Sequence, residues 1–168
     1  MKKKIDRNYL EINSLKELKE SKTKIDEYFV QLVEPNNFHL NKFFYKNVGK
    51  KHNWIDRLVW TENQWNKYIS DKNVKTYILQ KKEAYLGYFE LIFYKDKNEV
   101  EIAYLGLLEE YQNKKLGSYL LISAIKNSFL MNPKRVWVHT CSLDHKNALN
   151  NYLSRGMKIF KKETVFVN

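Results

Sequence analysis

The order of hydrophobic and polar positions along the chain predicts an alternation of strands and helices. Runs rich in β-branched and aromatic residues predict strands at residues 7–12, 27–33, 74–80, 84–94, 99–108, 135–140 and 158–167. Hydrophobic residues spaced three and four apart predict helices at residues 37–48, 61–69, 115–131 and 145–155. Residues 14–22 are mostly polar and predict a short helix or a turn.

Cap residues set several of the predicted helix boundaries. Thr61 and Gln64 have the spacing of a capping box, which opens the second helix. Asp144 is expected to cap the last helix, and Gly156 fits the left-handed position that follows a helix. The third helix is expected to begin at about Lys115.

The order of these elements predicts an α/β fold. The strands at 74–80, 84–94 and 99–108 are joined by short turns, which is typical of an antiparallel meander. A helix, a strand, a second helix and a final strand follow. We therefore expect a mixed, mostly antiparallel sheet flanked by helices. The length of 168 residues fits a single domain over residues 1–168.

Composition excludes several classes of protein. The chain is 43% hydrophobic and 15% aromatic, which is too rich in core-forming residues for a disordered protein. Its one cysteine, Cys141, excludes an intramolecular disulfide framework and a multi-cysteine zinc site, and we expect no metal. No window approaches the 18 apolar residues of a membrane span, and the start of the chain lacks the pattern of a secretion signal. These features predict a cytoplasmic protein with no membrane partner.

The net charge of +11 has two interpretations. It fits an anionic partner, such as a nucleic acid or a phosphorylated cofactor. However, the chain has 26 Lys against 4 Arg, together with 18 Asn, a composition typical of A/T-rich coding bias. Because specific recognition of phosphates and bases favours arginine, most of the net charge is interpreted as a result of coding bias and not as a sign of an anionic partner.

Residues 105–118 carry the most informative local pattern, in which a strand leads through a short loop into an apolar-faced helix. The beginning of such a helix presents free backbone N–H groups and the positive end of the helix dipole. Gly117 allows a phosphate to approach the backbone closely, Ser118 offers a hydroxyl, and Lys114 and Lys115 add positive charge. The alternative is an ordinary solvated turn.

Two motifs resemble those of a known family. Gln112 and Gly117 fit a phosphate loop of the form Q/R-x-x-G-x-G/A, and Ala148, Tyr152 and Gly156 fit a later helix of the form A-x-x-x-Y-x-x-x-G-F. With a strand between the two motifs, the chain resembles the GNAT superfamily of acyl-CoA-dependent N-acetyltransferases. The resemblance is specific over residues 99–160 and weaker over residues 26–98.

The chain departs from the family pattern at a few positions. Lys115 replaces the first glycine of the loop, and Met157 replaces the phenylalanine of the later helix. Residues 144–149 resemble an Asp-His-Pro-x-Ala-Leu segment found in a bacterial subgroup, with Lys146 in the proline position. If Lys115 is helical, its side chain adds no backbone strain and its ammonium group can face a pyrophosphate.

The resemblance implies that acetyl-CoA binds across residues 99–160. The strand before the loop is expected to splay from its neighbour and to pair with the pantetheine arm, while the loop binds the pyrophosphate through main-chain N–H groups. His145 lies near the position of a cofactor-contacting asparagine of the family. The implied cofactor-binding residues are Leu105, Gly106, Leu107, Gln112, Asn113, Lys114, Lys115, Leu116, Gly117, Ser118 and His145.

The resemblance also implies catalytic roles. Tyr152 corresponds to the tyrosine that protonates the departing thiolate, and its alternative role is packing between helix and sheet. Glu101 resembles the base glutamate of the histone-acetylating branch, and we expect it to share a strand face with Leu105 and Leu107. Its alternative is a solvent-facing carboxylate. His139 and His145 are rival bases.

Residues 1–98 are expected to supply the helices that bind the acceptor. Its cleft wall is predicted over residues 38–56, with Tyr45, His52, Trp54 and Asp56. The first hypothesis is transfer of an acetyl group from acetyl-CoA to a primary amine by direct attack in a ternary complex, by a monomer or homodimer. The second is a non-catalytic acyl-CoA-binding module. The third is a nucleic-acid-binding protein, which is less favoured because we expect no nucleic-acid partner.

Overall fold

The computed structural model describes residues 2–21 and 26–167, which form one α/β unit. Strands and helices alternate as the sequence predicts, with boundaries that differ by a few residues. The strands are β1 (Lys3–Ile12), β2 (Tyr28–Leu32), β3 (Val74–Lys81), β4 (Ala84–Tyr94), β5 (Glu99–Leu107), β6 (Arg135–Cys141) and β7 (Lys158–Val167). The helices are α1 (Phe38–Gly49), α2 (Glu62–Ile69), α3 (Leu116–Phe129) and α4 (Ala148–Ser154).

All seven strands form one sheet in the order β2-β3-β4-β5-β6-β1-β7. The meander of β3, β4 and β5 is antiparallel, as the sequence predicts, and β5 and β6 form the parallel pair. The sequence gives no sign that β1 lies between β6 and β7. This insertion pairs Arg7 with Cys141 on one side and with Glu163 on the other, and so brings the start of the described chain beside β6.

The centre of the sheet splays. The parallel strands β5 and β6 are paired only from Glu99 and Arg135 to Glu101 and Trp137, after which they separate. A β-bulge interrupts the pairing of β4 with β5, because Tyr104 lies opposite Glu90 while Ile102 lies opposite Leu91. The predicted splayed central strand is therefore confirmed: beyond the bulge β5 remains paired with β4, and its other edge faces a gap instead of β6.

Helices cover the sheet on both faces. The apolar face of α3 packs on β4, β5 and β6, and Leu120, Leu121 and Ile125 are fully buried there. On the opposite face α1 packs on β4, where the Phe44 and Tyr88 rings stack with centroids 4.9 Å apart. The two helices thus cover the central strands β4 and β5 from opposite faces of the sheet.

The last helix begins later than predicted. The helix predicted from residue 145 begins at Ala148, and Asn147 occupies its N-cap position in place of Asp144. The Asp144 carboxylate instead accepts hydrogen bonds from the Cys141 backbone N–H (2.9 Å) and the Thr140 hydroxyl. These bonds stabilise the turn after β6. Asp144 therefore stabilises this turn and is not the helix cap that the sequence predicts.

The segment predicted as a short helix or turn at residues 14–22 contains a single 3₁₀ turn, Leu15–Glu17, with Ser14 as its cap. Lys22 lies outside the described residues. Within the described ranges, no helix has the length and apolar character needed to cross a membrane. The same residues contain no cluster of three or more His, Cys, Asp or Glu side chains that could hold a metal ion.

Candidate active site

The splay opens into a cleft of about 890 Å³ that has two different walls. The first, here the loop wall, consists of the end of β5 and the cleft-facing residues of the segments 112–118 and 147–155. The second, here the aromatic wall, consists of Tyr45, Trp54, Arg57, Glu101 and Tyr104. A single continuous space therefore joins the start of α3 to the face of the sheet that α1 covers.

The backbone of the loop wall adopts left-handed angles at two places. Asn113 has φ 61° and Lys115 has φ 61° with ψ 14°, so the expectation that Lys115 is helical is wrong. Lys115 is the residue before the first helical residue, Leu116, and the chain turns sharply there to enter α3. Asparagine tolerates this conformation, whereas a lysine carries a steric cost of about 1–2 kcal/mol.

The beginning of α3 faces the cleft. Its first N–H groups have no partner within the helix, and the helix dipole is positive there. A Cβ atom added to Gly117 would meet nothing closer than Asn151 Nδ2 at 3.7 Å, an ordinary contact. Asn151 on α4 donates from Nδ2 to the Gly117 carbonyl (3.1 Å). The fold itself does not require glycine at 117, so its small size leaves room for a group in the cleft.

Gly106 differs from Gly117 in this respect. A Cβ atom at 106 would lie 2.3 Å from Val48 Cγ1 on α1, far inside van der Waals contact. Glycine is therefore required at 106 by the close approach of α1 to β5. On the opposite face of β5, Leu105 and Leu107 pack into the main core beneath α3.

Tyr152 on α4 both packs and faces the cleft. It is 7% exposed, belongs to the main hydrophobic core and lines the cleft. Burial raises the pKa of the Tyr152 phenol above its usual value, and the nearby Asp144 carboxylate raises it further. The phenol is therefore protonated throughout the neutral range and remains a hydrogen-bond donor.

The aromatic wall is built around a buried ion pair. Arg57 Nη1 binds both oxygens of Glu90 (3.0 and 3.2 Å), and the two side chains are 8% and 1% exposed. Asn41 Nδ2 donates a further hydrogen bond to Glu90 (2.8 Å). The Arg57 guanidinium lies 4.1–5.8 Å from the ring centroids of Tyr45, Trp60, Trp65, Tyr68 and Tyr104.

This pair fixes the charges of the aromatic wall. Burial raises the pKa of the Glu90 carboxyl, and Arg57 and Asn41 oppose that rise by stabilising the charged form. Burial has the largest single effect on the pKa of Arg57 and acts to lower it, but the Glu90 charge together with Tyr68 and Tyr104 outweighs burial, and the net shift is upward. Arg57 and Glu90 are thus paired with each other, and Glu90 is not a free carboxylate.

Glu101 is the carboxylate that β5 supplies to the aromatic wall, and Asp56 also lines the cleft. Because the bulge leaves Ala103 without a partner on β4, the side-chain alternation reverses along β5. Glu101 therefore shares a face with Tyr104, and the expectation that it shares one with Leu105 and Leu107 is wrong. Burial raises the pKa of Glu101, while a hydrogen bond from Tyr94 and the charge of Arg57 lower it.

The model of the acetyltransferase (GNAT) family matches residues 36–157 of the sequence, which include both walls. The chain belongs to the GNAT acetyltransferase family. No curated protein matches the sequence.

Solved structures share the GNAT fold at low sequence identity. A GCN5-related N-acetyltransferase from Kribbella flavida is 12% identical with a TM-score of 0.67, and the match covers 96% of this chain and 56% of that one. A second, from Sphaerobacter thermophilus, is 11% identical with a TM-score of 0.72, over 96% of this chain and 50% of that one. This GNAT chain thus spans about half the length of these two relatives.

A shorter structure matches over most of its own length. The spermidine N-acetyltransferase from Vibrio cholerae, solved with CoA and spermine, is 16% identical with a TM-score of 0.64. The match covers 84% of this chain and 96% of that one. At these identities the likeness establishes the GNAT fold and nothing finer.

Most of the site residues predicted from the sequence line this one cleft of the GNAT domain. They are Glu101, Leu105, Gly106, Leu107, Gln112, Asn113, Lys115, Gly117, Ser118, His145 and Tyr152. Leu116 lies instead in the main core, and Lys114 lies outside the cleft wall with its ammonium 5.7 Å from the Tyr111 ring centroid. His145 accepts a hydrogen bond from the Asn147 backbone N–H at Nδ1 (3.1 Å), which leaves its other nitrogen for a further contact.

The rival bases and the cysteine have ordinary environments. Burial lowers the pKa of both His139 and His145. Burial raises the pKa of the Cys141 thiol, which reduces its thiolate fraction and accords with the structural role expected for it. Sequence reasoning missed Asn151 and the Arg57–Glu90 pair. The only sequence signal for Asn151 is its position directly before Tyr152 in the helix motif.

Proposed function

We propose that this protein is an N-acetyltransferase that moves an acetyl group from acetyl-CoA to a primary amine. The observation that carries the proposal is the continuous cleft that leads from the unpaired edge of β5, past Tyr152, to the start of α3. Acetyl-CoA supplies the acetyl group as an activated thioester.

The loop wall is suited to bind the donor. Beyond Glu101 the edge of β5 that faces β6 has no strand partner, so main-chain groups at Leu105–Leu107 are available to the amides of a pantetheine arm. The free N–H groups at the start of α3 suit a pyrophosphate, with Gly117 leaving space and Lys115 adding a positive charge. Ser118 and His145 are further polar groups in the same wall.

The two walls are suited to move protons in opposite directions. In a ternary complex the acceptor amine attacks the thioester carbonyl directly, and Glu101 accepts a proton from the amine nitrogen. Tyr152 donates a proton, or a hydrogen bond, to the departing sulfur, for which its raised pKa keeps it protonated. A backbone N–H near Leu107 stabilises the negative charge on the carbonyl oxygen.

The aromatic wall is suited to receive the amine. Tyr45, Trp54 and Tyr104 line it together with His52 and Asp56, as expected for the acceptor side. Relatives with this fold include the spermidine N-acetyltransferase and an aminoglycoside acetyltransferase from an uncultured soil metagenomic sample. We therefore choose spermidine, an aminoglycoside and a lysine-containing peptide as the first acceptors to test.

Calorimetry with acetyl-CoA and a thiol-release assay over this amine panel test the proposal. We expect saturable binding and turnover of at least one amine. Tyr152→Phe should lower kcat by about 10²-fold or more and change the acetyl-CoA affinity little. Tyr77→Phe, another buried tyrosine that is not part of the cleft wall, is the matched control and should be close to wild type. Absence of acetyl-CoA binding at high concentration would overturn the proposal.

The second candidate is a GNAT domain that binds acyl-CoA without turnover. The left-handed Lys115 favours it, because the loop holds a residue that the family pattern does not use there. Acetyl-CoA binding with no thiol release from any amine, and an unchanged affinity in Tyr152→Phe, would support this candidate against catalysis.

A further inference from the structure

The Glu101 carboxylate lies next to a tyrosine of the neighbouring strand. On β4, Ile92 is directly opposite Glu101 and Tyr94 is the diagonal neighbour on the same face. The Tyr94 hydroxyl donates to Glu101 Oε2 with an O–O distance of 2.7 Å. Among the described residues, Glu101 Oε1 has no hydrogen-bond partner, so the two oxygens of this carboxylate have different environments.

The tyrosine is itself held in place by β6. Trp137 lies directly across from Glu101 in the short parallel pairing. Its ring stacks on that of Tyr94, with centroids 6.4 Å apart and an interplanar angle of 22°. Two aromatic residues thus lie beside Glu101 on the strands on either side of it.

The charged groups of the strands on this face are already paired, and Asp56 is a further carboxylate in the cleft. Arg7 of β1 binds Glu163 of β7 (3.4 Å). Arg57, from the segment before α2, is bound to Glu90 of β4. Arg135 of β6 binds Glu99 of β5 (3.1 Å) and Glu11 of β1 (3.0 Å). His139 of β6 has a pKa lowered by burial and is neutral at neutral pH. In the described part of the chain, the Tyr94 hydroxyl is therefore the one direct hydrogen-bond donor to Glu101.

We infer that Tyr94 is a positioning residue for the base: it holds Oε2 of Glu101 so that the unbonded Oε1 accepts the proton of the acceptor amine. This inference rests on the proposed role of Glu101. In the proton transfer an N–H bond of the amine breaks and an O–H bond forms at Oε1, while the Tyr94 hydroxyl keeps its own proton. Its raised pKa, due to burial and to Glu101, keeps it a donor.

The hydrogen bond also affects when Glu101 is charged. Burial raises the pKa of Glu101, and the bond from Tyr94 stabilises the carboxylate and opposes that rise. Removing the hydroxyl should therefore raise the pKa of Glu101 further. Because a base acts in its deprotonated form, the loss of activity should be greatest at acidic pH and small on the alkaline plateau.

The direct test follows the ionisation of Glu101 in the whole protein. In protein labelled with ¹³C at glutamate side-chain carboxyls, Glu101→Gln identifies the Glu101 signal by its disappearance. We expect its titration midpoint to be higher in Tyr94→Phe than in wild type. Tyr85→Phe, an exposed tyrosine of the same strand, is the matched control and should leave the midpoint unchanged. Equal midpoints in wild type and Tyr94→Phe would overturn the inference.

The kinetic test uses acetyl-CoA and the most active amine of the panel. At the acidic end of the profile, Tyr94→Phe should lower kcat/KM by about three- to tenfold relative to wild type, and by less than about twofold on the alkaline plateau. A loss of activity without any shift of the pH profile means that the Tyr94 hydroxyl does not act on the Glu101 carboxylate, and overturns the inference. If Glu101→Gln retains wild-type activity, the proposed base is wrong as well. If Glu101→Gln is inactive and the Tyr94→Phe profile is unshifted, only the role of Tyr94 is wrong.

Discussion

The two walls of the cleft are made of different parts of the chain. The loop wall presents mainly backbone: the unpaired edge of β5, the left-handed turn at Lys115 and the first N–H groups of α3. The aromatic wall presents side chains, arranged around the Arg57–Glu90 pair. A wall of backbone is specified by where small residues fall in a short segment, whereas a wall of side chains depends on residues that are far apart in the sequence.

The aromatic wall should be the more sensitive of the two to loss of a single side chain. Glu90→Gln leaves the Arg57 charge buried without its counter-ion, and we expect the free energy of unfolding to fall by about 3–5 kcal/mol. Urea unfolding measures this change. Glu20→Gln, which removes the partner of Lys126 in an exposed pair, is the control and should leave the midpoint nearly unchanged. A loss in Glu90→Gln no greater than that of the control would show that the pair does not organise this wall.

The same difference between the walls decides what the sequence predicts. The loop wall is local: Gln112 and Gly117 lie five residues apart in one segment, and the spacing of Ala148, Tyr152 and Gly156 repeats in one helix. Arg57 and Glu90 are 33 residues apart, and charged residues usually lie on the surface, so nothing in the pattern joins them.

The strand order and the bulge also do not follow from the sequence. The placement of β1 between β6 and β7 is a long-range pairing that alternation along β1 does not encode. The bulge at Ala103 adds one residue to β5 and reverses its faces, which is why Glu101 lies with Tyr104 and not with Leu105. The order of elements and the class of fold follow from local periodicity, and both agree with the structure.

Alanine substitutions at two glycines test the contrast between the two walls, and their expected effects are of intermediate size. Gly106→Ala places a methyl group against Val48 of α1, and we expect a loss of about 1–3 kcal/mol in the free energy of unfolding. Gly117→Ala meets only an ordinary contact with Asn151, so its stability should change by less than about 1 kcal/mol. Its affinity for acetyl-CoA, measured by calorimetry, should fall at least about tenfold because the added methyl group occupies space proposed for the pyrophosphate.

The control for this pair is the double variant Gly106→Ala with Val48→Ala. It removes the methyl group that an alanine at 106 would meet and should recover part of the stability. If Gly117→Ala unfolds like Gly106→Ala and binds acetyl-CoA like wild type, the glycine of the loop serves packing and the assignment of the loop wall fails.

The smallest expected effect separates charge from backbone strain at Lys115. Lys115→Gly relieves the left-handed strain and should raise the free energy of unfolding by about 0.5–1 kcal/mol, whereas Lys115→Ala keeps the strain and should leave it unchanged. Lys82→Gly, in the left-handed turn between β3 and β4, is the matched control and should give a similar gain in stability without any effect on acetyl-CoA binding.

Acetyl-CoA affinity then shows what the lysine contributes. Both Lys115 variants lose the ammonium group, so if its charge contacts the pyrophosphate, calorimetry should show a fall of about three- to tenfold in each. If Lys115→Ala binds like wild type, the charge has no role in the loop wall. If Lys115→Gly alone binds as tightly as wild type, the shape of the turn matters more for acetyl-CoA affinity than the charge of Lys115.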